Sequence, residues 1–403
     1  MTVDTMRTID HLAGVPLTFL ATLVRKVMNM FEVKENTKTT NALFIELSEM
    51  GSAILVDPAM RKLQKNIDGE LFFVIFSKNA ISLEILGTVK KENIFKFDES
   101  SLFALAKSTI LFTQWCRKNK IDTVIDLELF SRFTALLSFL SLAKKVVGFH
   151  SFHNEGLYRG DLLTRKVAYN AHLHITKNFI ALINATLSEK NELPFSKTII
   201  SDDELTIAQA PVVESSKEKV LDVIRSMYTD YDDNPIILVN SNASDLLPQR
   251  RWDRKNYCEV INKILAHNDK ALVLLTGAPS EYDGVDELRK CVDDTRCINF
   301  CGAVKFLELM PLYQVSKFML TNDSGPAHFA STTPMHTFVI FGPETPALYG
   351  SLGPTTPIYS DMSCSPCVSA SNHRKTPCSD NQCIQVIDSS WVFNALLPKL
   401  ELL

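Results

Sequence analysis

Leu71 to Phe76 reads LFFVIF, an unbroken apolar run with no polar alternation. A strand with one wet face would alternate, so such a run belongs to a strand covered on both sides, the situation of a parallel sheet. The same character recurs along the chain. Residues 42–47 (ALFIEL), 94–97, 123–127 (TVIDL) and 145–149 (KVVGF) form one set, with helical stretches such as 102–118 and 136–142 among them. Residues 235–239, 271–275 (ALVLL), 298–300, 318–320 and 335–341 form a second set, again separated by helical stretches. Strands alternating with helices specify parallel α/β layers, and two sets specify two such domains. The polar stretch 187–234 between them carries the boundary. The expected division is an N-terminal segment 1–38, a first domain 39–225 and a second domain 226–403.

The 403 residues, 46% hydrophobic and 22% charged, supply material for two cores. A net charge of −4 and a pI near 6.2 argue against a nucleic-acid binder. No signal peptide is expected, because Asp4 and Asp10 sit near the N-terminus and no small-residue cleavage site follows an apolar core. Of nine cysteines, Cys116, Cys258, Cys291, Cys297 and Cys301 are scattered without a framework and are expected as reduced thiols of a cytoplasmic protein. Residues 12–24 (LAGVPLTFLATLV) are apolar and are followed by Arg25 and Lys26. That run falls short of the ~20 residues a spanning helix needs. Two readings stay open: a helix lying in the membrane interface, or one packed on the protein's own surface.

The loops that follow parallel strands share one edge of the sheet. In the second domain these are 240–244 (NSNAS) with Arg250, Arg251 and Trp252 beyond, 276–281 (TGAPSE), 321–331 (TNDSGPAHFAS) and 342–345 (GPET). The third is a strand, a tight turn and a helix begun by Pro326, whose missing N–H costs nothing there. Helix-start N–H groups at Ser324 and Gly325 face a prospective anion. Asn242 and Ser244 add small polar contacts, Arg250 a fork for phosphate oxygens, and Glu281 a carboxylate for a ribose hydroxyl. Together they read as a nucleotide-diphosphate site. In the first domain, 152–186 is basic and histidine-rich, with a long helical run expected after Asp161. Its Arg159, Arg165 and His172 suit a phosphorylated or acidic acceptor. The plainer alternative is a solvated helix face with a core histidine or two. Near the C-terminus, Cys364, Cys367, Cys378 and Cys383 lie within twenty residues, the first two as C-x-x-C, with Asn372, His373 and Arg374 between them. This spacing suits a structural zinc, with reduced thiols or disulfides as alternatives.

From Ala42 onward the chain resembles glycosyltransferase family 9, the bacterial lipopolysaccharide heptosyltransferase family. The stretches that carry the resemblance are Ser48-Glu-Met-Gly51 with Pro58-Ala59, Arg250-Arg-Trp252, Thr276-Gly-Ala278, Asn322-Asp-Ser-Gly-Pro-Ala-His328, and Phe341-Gly-Pro343 with Gly353-Pro354. The resemblance implies a GT-B fold, two Rossmann-like domains whose parallel sheets face across a cleft, with the donor held mainly by the second. It implies inverting, metal-independent transfer of a heptose-like sugar from an ADP-heptose-like donor to a lipopolysaccharide-type saccharide or glycolipid. No catalytic cofactor is expected. The place would be the cytoplasm, at the inner face of the inner membrane. Asp323, Ser324, Gly325 and His328 would contact the donor, and Arg250 stands where the family has a basic phosphate ligand. The family carries an aspartate base just after the Met-Gly of its first turn, whereas Met50-Gly51 is followed here by Ser52. A hydroxyl cannot take the proton unaided, so Glu49 on the same turn is the expected base. The competing role for Glu49 is a helix cap. Without that base, the chain would bind nucleotide sugar without transferring it, as a non-catalytic binding protein, or take a base from the histidine-rich segment; a separate alternative is a nucleotide-sugar epimerase or hydrolase of the same fold.

Overall fold

The computed structural model describes residues 3–30, 38–129, 131–152, 157–244, 247–369 and 375–403. The run Asn372, His373, Arg374 lies outside these. The chain divides into unit 1, Met1–Thr206, and unit 2, Ile207–Ser369 with Lys375–Leu403. The division falls ahead of the expected residue 225. The helix Glu214–Met227 buries Val220 and Ile224 and packs on the helix Leu309–Val315, so it belongs with unit 2.

Unit 1 is built on β1 (Ala42–Ile45), β2 (Leu71–Phe76), β3 (Ile94–Phe97), β4 (Thr123–Asp126), β5 (Lys145–His150) and β6 (Arg165–Ala168). The sheet order is β3-β2-β1-β4-β5-β6, and every pairing is parallel. All residues of β1, β2 and β4 are buried, which is why these strands read as apolar runs. Against β2 and β3, Phe95, Phe97, Phe112 and Trp115 pack ring against ring, with Phe112 fully buried. The long helical run expected after Asp161, from Arg165 through Lys177, forms only in its later part. Arg165–Ala168 is an edge strand paired with β5, and the helix begins only at Ile175. In this strand Arg165 and Val167 point inward while Lys166 and Ala168 do not, a period of two too short to stand out in sequence.

Unit 2 carries β7 (Ile236–Asn240), β8 (Leu272–Leu275), β9 (Cys297–Asn299), β10 (Phe318–Asn322), β11 (His336–Phe341) and β12 (Thr355–Tyr359). They form a second parallel sheet in the order β12-β11-β10-β7-β8-β9. The sequence reading missed β12. It is a mostly half-exposed edge strand that includes Pro357, which an edge tolerates. The expectation of five reduced, scattered thiols is corrected here. Cys258 on the helix Arg254–His267 and Cys291 on the helix Tyr282–Val292 form a disulfide, with Cα atoms 6.1 Å apart. Their separation of 33 residues hides a contact that only helix packing creates. Cys116, Cys297 and Cys301 are free and buried, and burial pushes each thiol up to about 12, as for inert structural cysteines.

Ahead of β1, α1 (Val3–Leu12) and α2 (Gly14–Asn29) form a hairpin on the helix Arg132–Leu140. Asp10 accepts the backbone N–H groups of Arg132 and Phe133, both at 2.9 Å, and pairs with the Arg132 guanidinium at 3.1 Å. It thus caps a helix start from another element. Among the described residues no helix is long and apolar enough to cross a membrane. The aromatic cluster is the most sensitive part of unit 1. Phe112→Ala should cost about 3–5 kcal/mol by leaving a cavity, read by chemical denaturation against wild type.

Candidate functional site

In unit 2 the ends of β7, β8, β10 and β11 lie at one edge, as parallel strands dictate, and a buried side chain ties them together. Asn322, at the end of β10, donates from Nδ2 to Ser241 O (2.9 Å) and Asn242 O (3.3 Å). Its Oδ1 accepts Trp252 N (3.1 Å) and the Tyr257 hydroxyl (3.0 Å). One amide therefore fixes the loop after β7 and the Arg250-Arg251-Trp252 turn together. Arg251 adds two bonds to Ala243 O, at 3.0 and 2.6 Å. The sequence reading quoted Asn322 within the motif and gave it no role.

Around this lock stand the residues expected to bind the donor. Gly277 lets three of its neighbours approach. A Cβ there would lie 2.9 Å from Asn242 Nδ2, 3.1 Å from Glu281 Oε2 and 2.6 Å from Cys301 Sγ. Asn242 Nδ2 is buried with no hydrogen-bond partner among the described residues, and Glu281 Oε2 accepts Ala278 N at 2.7 Å. Ser244 is exposed just beyond β7. Arg250 pairs with Asp323 (3.4 Å) and with Glu344, which follows β11, so its charge already lies between two buried carboxylates. Glu344 was part of a quoted loop and was not singled out as a site residue. Ser324 is the N-cap of the helix Gly325–Ala330, yet its side chain takes none of the helix's first N–H groups. Its hydroxyl donates to Asn322 O at 3.2 Å, and His328 is buried in the same short helix.

The cysteine segment is fastened to these loops. Cys367 N donates to Pro343 O (3.0 Å), Ser365 Oγ to Gly342 O (2.5 Å), and Asn381 Nδ2 to Gln249 O (2.7 Å), next to Arg250. Cys367 Sγ lies 3.4 Å from Thr376 Oγ1, and Cys378 Sγ accepts Asn381 N at 3.3 Å. Cys364 is exposed and Cys383 buried; burial first, then its three neighbouring cysteines, push the Cys383 thiol up to about 11. Among the described residues no group of three or more His, Cys, Asp or Glu side chains is placed to hold a metal ion.

The corresponding edge of unit 1 is acidic. Glu49 is the N-cap residue of α3 (Met50–Leu55), but its side chain makes no cap bond; it accepts the Ser52 hydroxyl at 3.3 Å. The turn before it is held from both sides. Asn79 donates to Leu47 O and Ser48 O, while Leu47 N and Ser48 Oγ reach Glu128 Oε1 at 3.4 and 3.3 Å. Burial is the largest influence on the Glu128 carboxyl, and the Glu46 side chain beside it works the other way. Burial raises Glu128 above the usual carboxylate range, and the charges of Glu49 and Asp126 push the same way. Burial likewise raises Asp126, against the pull of Arg159.

The three expected acceptor ligands part company here. Arg159 lies at this edge but is engaged with Asp126, Glu128 O and Ser131 O (2.8 Å). His172 is exposed on the turn that follows β6 at the same edge. Arg165 is corrected to a structural role. It starts β6, is buried, and donates to Ala185 O and Ser188 O at the C-terminal end of the helix Ile175–Leu187. The sequence reading missed Glu46 and Glu128; the only signal was two acids at strand ends, each inside an apolar run.

Glu128 makes stability pH-dependent in a stated direction. The folded chain holds a proton that the unfolded chain releases once pH passes the ordinary value of 4.5, so stability falls as pH rises towards the raised value. Glu128→Gln removes that loss. Measured against wild type, its melting temperature should gain as pH rises above the ordinary value of 4.5, read by thermal unfolding across pH.

Three kinds of similarity bear on this arrangement. The pattern of glycosyltransferase family 9 (heptosyltransferase) matches residues 111–376. Lipopolysaccharide heptosyltransferase 2 of Salmonella typhimurium is 24% identical over 102 residues, 25% of this chain and 29% of that relative, so the match spans less than a third of its length. The solved structure of E. coli ADP-heptose lipopolysaccharide heptosyltransferase II superposes with a TM-score of 0.68 at 16% identity, covering 90% of this chain and 99% of that one. A family 9 glycosyltransferase from Veillonella parvula gives 0.67 at 17% identity, with 91% and 99% covered. At such identities the superpositions carry the fold, two parallel α/β units of the GT-B type. With the family pattern covering well over half of its residues, the chain belongs to glycosyltransferase family 9, the heptosyltransferase family.

Proposed function

We propose that the protein is a glycosyltransferase that moves a heptose-like sugar from an ADP-linked donor to a lipopolysaccharide-type saccharide, with inversion and without a catalytic metal. The observation that carries this reading is the edge of unit 2. There Asn242, Glu281, Asp323 and the uncapped start of the helix Gly325–Ala330 stand on loops locked by Asn322, in a chain of family 9. The carboxylates of Asp323 and Glu281 suit sugar and ribose hydroxyls. The helix start suits the diphosphate, whose negative charge grows as the glycosidic bond breaks, so it stabilises the transition state more than the ground state. Arg250 balances that site and positions Asp323.

In unit 1 the Glu49 carboxylate, oriented by the Ser52 hydroxyl, takes the proton of the acceptor hydroxyl. The acceptor oxygen forms its bond to the anomeric carbon as the bond to the diphosphate breaks, and the electron pair leaves with the nucleotide. One displacement gives inversion. Glu128, raised by burial, is not the acceptor of the transferred proton. His172 and Arg159 belong to the acceptor side. The acceptor, in this reading, is carried by a membrane, with the protein peripheral to it.

Calorimetry with ADP, UDP and GDP should show preference for ADP. Glu49→Gln should lower transfer about 10²–10⁴-fold with ADP affinity unchanged. Equal transfer by Glu49→Gln removes the base, and absence of ADP binding removes the donor. Cys364, Cys367, Cys378 and Cys383 are proposed as a structural zinc site on the strength of their spacing and of their segment's anchorage at Gly342, Pro343 and Gln249. Metal analysis of protein purified without added metal should find zinc in equal amount to the chain, and metal-free folded protein sinks the assignment.

A further inference from the structure

The helix α2 is amphipathic in the opposite sense to a helix on a soluble protein. Its buried positions are Gly14, Thr18, Ala21, Thr22 and Arg25, a helical face made of small and polar side chains. That face is closely fitted. Thr22 Oγ1 accepts Asp161 N at 2.8 Å, a Cβ on Gly160 would lie 2.7 Å from Thr22 Oγ1, and a Cβ on Gly14 would lie 2.8 Å from Arg132 Cβ. The helix cannot roll to hide its other side. On that side Leu17, Phe19, Leu20, Leu23, Val24 and Val27 are each 46–56% exposed. Single exposed leucines are ordinary, whereas six large apolar side chains on one continuous arc mark a surface that something covers.

We propose that this arc is a membrane-interface surface, seated at the headgroup–acyl boundary of an anionic bilayer. At 16 residues α2 is about 24 Å long, short of the ~30 Å hydrocarbon core, so it lies in the surface instead of crossing it. A second copy of the chain is a poor occupant. One helix face about 24 Å long and ~10 Å wide offers on the order of 240 Å², against the ~800 Å² per partner of a stable dimer. Charge points the same way. The helix contains no Asp or Glu and carries Lys26 in its last turn, exposed at the margin of the arc, a charge that anionic headgroups attract. Because Asp10 and Thr22 pin the hairpin to unit 1, a bilayer holding α2 would hold the acidic edge's domain in a set orientation. The proposal deepens the reading of a membrane-borne acceptor and rests on it for purpose.

The test uses the full chain with vesicles of phosphatidylcholine alone or mixed with phosphatidylglycerol, without donor or acceptor. Wild type should sediment with the anionic vesicles, less so at high salt. Leu20→Glu/Val24→Glu should bind about tenfold or more weakly at an unchanged melting temperature, since both sites are exposed. Lys26→Glu should lose mainly the anionic preference. Equal binding by the double variant, or wild type left in the supernatant, overturns the surface. So does a wild-type dimer in light scattering that the double variant dissociates, which would assign the arc to a second copy. ADP calorimetry on the same samples separates the two readings: nucleotide binding without vesicle binding spares the transferase, and the reverse spares the surface.

Discussion

Parallel strands must all be entered from the same side, so each one ends at the same edge and each connection crosses back over a face of the sheet. That constraint, applied twice, organises this protein. It brings Asn240, Thr276, Asn322 and Gly342 together in unit 2, although they span about a quarter of the chain, and it brings Glu46 beside Glu128 in unit 1. Loops gathered this way still need to be held. In unit 2 the buried Asn322 amide does so, because its donors and acceptor satisfy backbone groups from two loops that would otherwise be desolvated without partners. At the start of the helix Gly325–Ala330 the Ser324 side chain takes none of the first N–H groups, because its hydroxyl is on Asn322 O, and Arg250 is held between Asp323 and Glu344.

The acidic edge of unit 1 obeys a different economy. Four carboxyl groups, Glu46, Glu49, Asp126 and Glu128, gather here, and the Arg159 guanidinium is directed at Asp126. Burial makes full ionisation of such a group unfavourable, and it raises Glu128 and Asp126 above the usual carboxylate range. Glu49, half-buried at the helix start, accepts the Ser52 hydroxyl. Its surroundings therefore differ from those of the two buried acids.

Both additions to the two sheets are held by polar contacts beside small apolar ones. The hairpin α1–α2 is fixed through Asp10, Thr22 and close glycine approaches, with Ala21 packed on Ala135 and Leu162, and the cysteine segment through backbone carbonyls at Gly342, Pro343 and Gln249. The face of α2 that does this carries small residues, so its large apolar side chains point outward.

The sequence by itself determined the two parallel α/β units, because strands buried on both faces must be apolar throughout, and LFFVIF or ALVLL can hardly be anything else. It also determined that the loops after β7, β8, β10 and β11 gather at one edge, as parallel strands require, and that Pro326 begins a helix. What it left open depends on neighbours distant in the chain. The Cys258–Cys291 bond requires two helices to lie side by side, the strand Arg165–Ala168 exists because β5 offers it an edge, and Arg165 is taken up by a helix end twenty residues on. Whether Arg250 stands open or paired was settled by Glu344, 94 positions away. Which face of α2 points inward was likewise a tertiary decision. The period of its apolar residues announces a helix, but only the fit of Gly14, Thr18 and Thr22 against the helix Arg132–Leu140 and Gly160 turns the leucines out.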